Sequence, residues 1–158
     1  MARHEETRHL PYSPEQMFDL VADVQRYEEF LPWVSAIRVR SNSGTEMVAD
    51  MVVGFKGLRE TFTSKVLKQR PSEVRVDYLD GPLKHLHNLW HFRSDGQGGV
   101  LVDFEVEFTF KNRLFEALAG QVFDSALRKM IGAFEARAAA LYGADASGSN
   151  SSSAQSAA

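Results

Sequence analysis

Residues 100–110, VLVDFEVEFTF, alternate without a break. Val100, Val102, Phe104, Val106, Phe108 and Phe110 fall on one side, and Asp103, Glu105, Glu107 and Thr109 on the other. A period of two is that of an extended chain, so the segment predicts a β-strand with one dry and one wet face. The same period runs through most of residues 33–99. Met47, Ala49, Met51, Val53 and Phe55 share a face, as do Phe62, Ser64 and Val66, then Val74, Val76 and Tyr78. Asp80-Gly81-Pro82 and DGQGG at 95–99 read as turns between strands. On both sides of this block the period becomes helical. Ser13-Pro14-Glu15-Gln16 has the form of a capping box, with Ser13 as N-cap, Pro14 in the first turn and Gln16 reaching back. Met17, Phe18, Leu20 and Val21 then give a short amphipathic helix, and a second short helix covers 24–30, ending before Pro32. After the strand block, Asn112 is the N-cap of a helix running to about Tyr142, ~30 residues or ~45 Å long. Its apolar stripe is Leu114, Phe115, Leu118, Val122, Phe123, Ala126, Leu127, Met130, Ile131, Phe134 and Leu141. A stripe that broad must be covered, and the dry face of the preceding antiparallel sheet is the natural cover. The expected class is α+β: one strand, two short helices, about six strands and one long C-terminal helix.

The 158 residues, 44% hydrophobic and 25% charged, fit one globular domain with a single core. No apolar run reaches the ~18 residues that would span a bilayer. The start, MARHEETRHLPYSPEQ, has neither the apolar core of a signal peptide nor the acid-poor look of a transit peptide, and a cytoplasmic location is expected. Absence of cysteine excludes disulfides, thiolate catalysis and cysteine-ligated metal. The last residues, 143–158, are small and polar and are expected to form a disordered tail rich in Gly, Ala and Ser, which leaves 1–142 as the folded domain. A net charge of −3 argues against a protein whose main task is to coat nucleic acid, and no DNA partner is expected. Lys56, Arg59, Lys65, Lys68 and Arg70 crowd one region, which reads either as a local basic patch or as the solvated faces of strands.

Two constellations invite a chemical reading. In GPLKHLHNLWHF, residues 81–92, His85, His87 and His91 have spacing that suits a transition metal but also follows from strand alternation. If Ser94 lies opposite Val100, then Trp90 meets Phe104 and Leu86 meets Phe108 on the dry face, while His91 meets Asp103 and His87 meets Glu107 on the wet face. On this reading the histidines look outward towards carboxylates, and no functional metal is expected. The trio Asp103, Glu105 and Glu107 shares that wet face, where carboxylates are expected near their ordinary pKa. No Gly-x-Ser-x-Gly elbow and no phosphate-binding glycine loop is present, so no catalytic residue is assigned and an enzyme is not expected.

Several segments resemble, in order and spacing, the coenzyme Q-binding START-domain family. They are SPEQMFDLVADVQRYEEFLPW (13–33), VGFKGLRETFTSKV (53–66), DGPLKHLHNLWHF (80–92), and VDFEVEFTF (102–110) followed by ALRKMIGAFEARAAALYG (126–143). The resemblance covers about residues 3–143. One departure is Glu28 after Tyr27, where the family pattern would place proline. The resemblance implies a helix-grip (START/Bet v 1-like) fold, in which a curved antiparallel sheet wraps a long C-terminal helix. It also implies a tunnel holding ubiquinone or a similar polyprenyl lipid, bound as cargo with no catalytic cofactor, in a carrier or chaperone that supports respiration or quinone biosynthesis. Bacterial members described as ribosome-association toxins supply the alternative, a ribosome partner. The lining would come from Met51, Phe55, Tyr78, Trp90, Phe104 and Phe108 on the sheet, and Phe123, Leu127, Met130 and Phe134 on the helix. The same residues could simply fill a core. Asn88 shares the dry face by parity, where its amide either meets a quinone carbonyl or is satisfied by backbone or water. The loop carrying Phe55, Lys56, Leu58 and Arg59 sets apolar tips between cations. That composition suits peripheral contact with a membrane where lipid enters, or an ordinary soluble hairpin.

Overall fold

The structure, a computed structural model, describes residues 2–55 and 57–147. The elements run β1 (Ala2–Leu10), α1 (Pro14–Ala22), a 3₁₀ helix (Val24–Glu29), β2 (Val34–Asn42), β3 (Glu46–Phe55), β4 (Leu58–Gln69), β5 (Glu73–Asp80), β6 (Leu83–Ser94), β7 (Val100–Phe110) and α2 (Arg113–Ser147). The seven strands form one antiparallel sheet in the order β1-β7-β6-β5-β4-β3-β2. It is a meander from β2 to β7, with β1 added beyond β7.

Local chemistry sets the element ends. Gln16 N donates to Ser13 Oγ at 3.1 Å and Ser13 N to Gln16 Oε1 at 3.0 Å, so the capping box starts α1. Asn112 Oδ1 accepts from the backbone of Leu114 at 2.8 Å and of Phe115 at 3.2 Å, which starts α2. The second short helix, expected over 24–30, is a 3₁₀ helix over Val24–Glu29; the run before Pro32 is too short to settle into α geometry. In the β6–β7 pairing Ser94 faces Val100, Trp90 faces Phe104, Leu86 faces Phe108, His91 faces Asp103 and His87 faces Glu107. This is the register expected from the alternation, because slipping by one residue would turn every apolar side chain to water.

Two expectations about the long helix need correction. It continues to Ser147, five residues past Tyr142, so the proposed tail boundary at 143 falls inside it. The remainder of that tail, 148–158, lies outside the described residues. The stripe is also not covered throughout, since Leu114 is 78% exposed, Leu141 49% exposed, and Ala126 exposed. Length explains the two ends: 35 helical residues extend about 52 Å, whereas the 11 residues of β7 extend about 37 Å. A helix longer than its sheet overhangs it.

Because α2 follows β7 and folds back along it, α2 begins at the end of the sheet that carries the β3–β4 and β5–β6 turns. The other end is plugged by α1 and the 3₁₀ helix. There Met17, Phe18, Val21, Val24, Leu31, Trp90, Phe92, Val100, Val102, Phe104, Leu127, Phe134 and Ala138 form one buried cluster.

Candidate functional site

The concave face changes character along its length. At the plugged end Trp90 lies 4.6 Å from Phe104 and 5.1 Å from Phe134, ring centre to ring centre. Phe134 also meets Tyr27 at 5.4 Å and Phe30 at 5.2 Å, both edge-on. Phe104 and Phe134 are each 5% exposed, Leu127 8% and Trp90 9%. A cavity of about 30 Å³ remains between Leu10, Met17, Trp90, Val102, Phe104, Ile131 and Phe134. That is room for a water molecule, and far too little for a quinone ring.

At the other end the same sheet and helix meet through side chains that are only half-buried. Met51, Tyr78, Asn88 and Phe108 on the strands and Phe123 and Met130 on the helix are all only half-buried. Phe108 meets Phe110 at 5.7 Å and Phe123 at 5.7 Å, and Phe110 meets Phe115 at 5.9 Å. No residue of α2 before Leu127 is buried. The structure thus divides the expected lining into two groups. Trp90, Phe104, Leu127 and Phe134 are buried in the closed packing, while Met51, Tyr78, Asn88, Phe108, Phe123 and Met130 line a half-buried apolar groove, with Met51, Phe123 and Met130 also packed against the buried cluster.

Two polar groups on the groove's sheet side have defined partners. Asn88 Nδ2 donates to the backbone carbonyl of Glu105 at 3.1 Å, and its Oδ1 accepts from no described residue. Tyr78 Oη accepts from Leu83 N at 2.9 Å, and burial raises the phenol's pKa. Gly81 sits beside it with φ of +141°, and a Cβ there would lie 2.8 Å from both Tyr78 Oη and Thr61 O. Only glycine lets the β5–β6 turn close over the tyrosine.

The rim on the β1 side is charged, which the sequence pattern did not reveal. His4, Glu6 and Arg8 alternate onto the concave face and form a chain: His4 Nε2 to Glu6 Oε1 at 2.5 Å, Glu6 Oε2 to Arg8 Nη1 at 2.9 Å, and Arg8 Nε to Glu135 Oε2 on α2 at 2.5 Å. Such a ladder joins strand to helix without apolar packing. The available signal was that ARHEETRHL has no apolar face at all, a pattern suited to an edge strand.

On the convex face the histidines meet carboxylates. His85 Nε2 lies 2.9 Å from Glu107 Oε2, His87 Nε2 2.9 Å from Glu105 Oε1, and His91 Nδ1 3.4 Å from Asp103 Oδ2. Among the described residues no group of three or more metal-ligating side chains converges. Asp103 departs from the ordinary pKa expected of it. Arg93 donates to it through Nε at 2.7 Å and Nη2 at 2.9 Å, and Thr7 Oγ1 at 2.6 Å. Arg93 foremost, then Thr7 and His91, hold its carboxyl well below the usual range against the opposing cost of partial burial.

The basic cluster does not form one patch. Lys65 and Arg59 alternate onto the convex face, while Lys68 Nζ donates to Asn42 Oδ1 at 2.8 Å and Arg70 Nε pairs with Asp19 at 2.9 Å. Of the expected entry loop, Arg59 is exposed; Lys56 and the side chains of Phe55 and Leu58 lie outside the described residues.

A long helix gripped by a curved meander is an arrangement shared with known proteins. Residues 10–135 match the family described as polyketide cyclase / dehydrase and lipid transport. The chain belongs to that family. Its relatives include the ribosome association toxin RatA of Pseudomonas aeruginosa, 35% identical over 85% of this chain and 93% of the relative. They also include the mitochondrial coenzyme Q-binding protein COQ10 homolog B of Xenopus laevis, 37% identical over 89% of this chain and 59% of the relative. The solution structure of the 18 kDa protein CC1736 of Caulobacter crescentus is 39% identical, with a TM-score of 0.71 over 90% of this chain and 99% of that one. The Zhui aromatase/cyclase, at 14% identity and a TM-score of 0.74 over 87% of this chain and 93% of that one, shares the fold alone. The helix-grip, START-like fold of the family is the fold of this chain.

Proposed function

We propose that the protein binds a polyprenyl quinone, ubiquinone or a precursor, in the groove between α2 and the sheet, and carries it in support of respiration or quinone biosynthesis. The observation that carries the reading is the half-buried apolar surface around Phe108 and Phe123. An apolar concavity with few polar groups is the usual form of a small-ligand site, and a lipid would complete the cover that α2 leaves unfinished there. Asn88 Oδ1 accepts from no described residue, and the amide is positioned by its bond to Glu105 on a face of apolar neighbours. The β3–β4 hairpin, with Phe55, Lys56, Leu58 and Arg59, stands at the same end and would meet the membrane that supplies the lipid. The relative named as a coenzyme Q-binding protein supports the choice of ligand.

The relatives named as ribosome association toxins support a second reading, in which the protein binds the ribosome and blocks subunit association. That reading needs a coherent basic face, and the division of Lys65, Lys68 and Arg70 among separate partners weakens it. Mass spectrometry of an organic extract of the purified protein tests the two together. Stoichiometric quinone or quinone precursor is the expected result. A lipid-free protein that co-sediments with large ribosomal subunits would replace the carrier reading with the second.

A further inference from the structure

We infer that the corner where β7 passes into α2 is a docking point for an anionic bilayer surface. The inference rests on the lipid-carrier reading for its purpose, and on the geometry of the corner for its evidence. Leu114 is 78% exposed, more than Leu79 at 50%, Leu141 at 49% or Val39 at 38%. It is held out by structure: Asn112 caps the backbone of Leu114 and Phe115, so the first turn of α2 is fixed with the leucine facing solvent. Lys111 N donates to Pro82 O at 2.9 Å, which ties the corner to the β5–β6 turn and to Lys84 just beyond it. Lys84, Lys111 and Arg113 are all exposed, and none forms a direct ion pair with a described residue, although Lys84 lies within electrostatic reach of Glu116. The nearby Glu116 is engaged by the fold, its Oε1 accepting the Phe110 N–H at 2.8 Å. Leu79, 50% exposed at the β5 bulge where Thr63 and Ser64 pair with Asp80 and Tyr78, lies at the end of β5 just before that turn.

An exposed leucine among exposed cations fits an interface that offers anionic headgroups and, just below them, hydrocarbon. Nucleic acid would engage the cations and leave Leu114 in water. The corner also stands at the half-open end of the groove, next to Phe110 and Phe115. Docking there would bring the groove's opening against the source of its lipid.

Flotation of the full chain with phosphatidylcholine vesicles, with and without phosphatidylglycerol, tests the inference. The protein should bind the anionic vesicles, release in high salt, and bind neutral vesicles weakly. The double variant K111E/R113E should bind at least about 25-fold more weakly, at roughly fivefold per cation. Leu114→Asp should lose about tenfold or more. Both residue sets are exposed, so thermal unfolding should match the unaltered protein, and quinone content by mass spectrometry should be retained. Anionic-vesicle binding that is unchanged in both variants, or absent from the unaltered protein, overturns the inference. So does a concentration-dependent dimer, seen by sedimentation, that Leu114→Asp dissolves, since the corner would then be a self-association surface. If Leu114-dependent vesicle binding is found in a protein that never holds quinone, the docking point stands and the proposed cargo falls.

Discussion

The two ends of the concave face are built from the same materials and behave differently. Trp90, Phe104 and Phe134 at one end, and Phe108, Phe110 and Phe123 at the other, are aromatic residues on the same strands and the same helix. The first set is nearly sealed and the second half-open. What differs is the cover: α1 and the 3₁₀ helix bring Met17, Phe18, Tyr27 and Phe30 over the first set, and nothing equivalent among the described residues crosses the second. Aromatic content does not distinguish a core from a binding groove. The third layer does.

The largest effect is expected from Phe134→Ala. Removal of a ring packed against Tyr27, Phe30 and Trp90 should cost about 3–5 kcal/mol, measured by denaturant unfolding; a loss under about 1 kcal/mol would show that the closed end is not closed. By the same logic Phe104→Asp should unfold the protein rather than merely empty it. Phe123→Ala, at the half-open end, should cost less, about 1–2 kcal/mol, because part of its surface is already wet. Its larger effect should be on retained quinone, read by mass spectrometry of extracts; equal stability losses at Phe123 and Phe134 with cargo unchanged would erase the contrast between the ends. Ser13→Ala removes one side of the capping box that starts α1 and should cost about 1 kcal/mol, loosening the plug without touching the groove. Quinone content that falls in step with that loss would mean the two ends are coupled.

Asp103→Asn is a control on the convex face, outside both regions. The folded carboxyl is held below its unfolded value, so its stabilisation is complete above the ordinary aspartate range near pH ~4 and is lost as pH falls towards the folded value. The variant should be less stable than the unaltered protein at neutral pH, by roughly 0.5–1 kcal/mol after allowance for solvent screening. That gap should close in acid. A gap of constant size across a pH series of melting curves would assign the effect to shape rather than charge.

Much of this was legible in the residues because it depends on short-range periodicity. The alternation of 100–110 fixed both the strand and its register with β6, since only one parity keeps Phe104 and Trp90 dry. The same parity turned His85, His87 and His91 outward. Ser13 and Asn112 announced their helices because a cap is a contact over two or three residues. The division of the lining residues was not legible. Phe104 and Phe108 are four positions apart on one strand face, each between two polar neighbours in sequence, and only the path of residues 14–31 across the sheet separates them. Nor did the pattern foretell the ladder from His4 through Glu6 and Arg8 to Glu135, whose last member comes from 127 residues further along the chain.

By itself the sequence determined the sheet, its faces and the long helix, each a consequence of the side-chain period of two or 3.6 and of local capping, and it determined the family through the order and spacing of its motifs. Tertiary structure alone decided where the helix leaves the sheet, which aromatic residues are sealed, and that Leu114 stands in solvent beside Lys84, Lys111 and Arg113. Those outcomes depend on how far a 35-residue helix overhangs an 11-residue strand and on what crosses above it. Distances of that kind are set by the assembly of layers, and no local pattern encodes them.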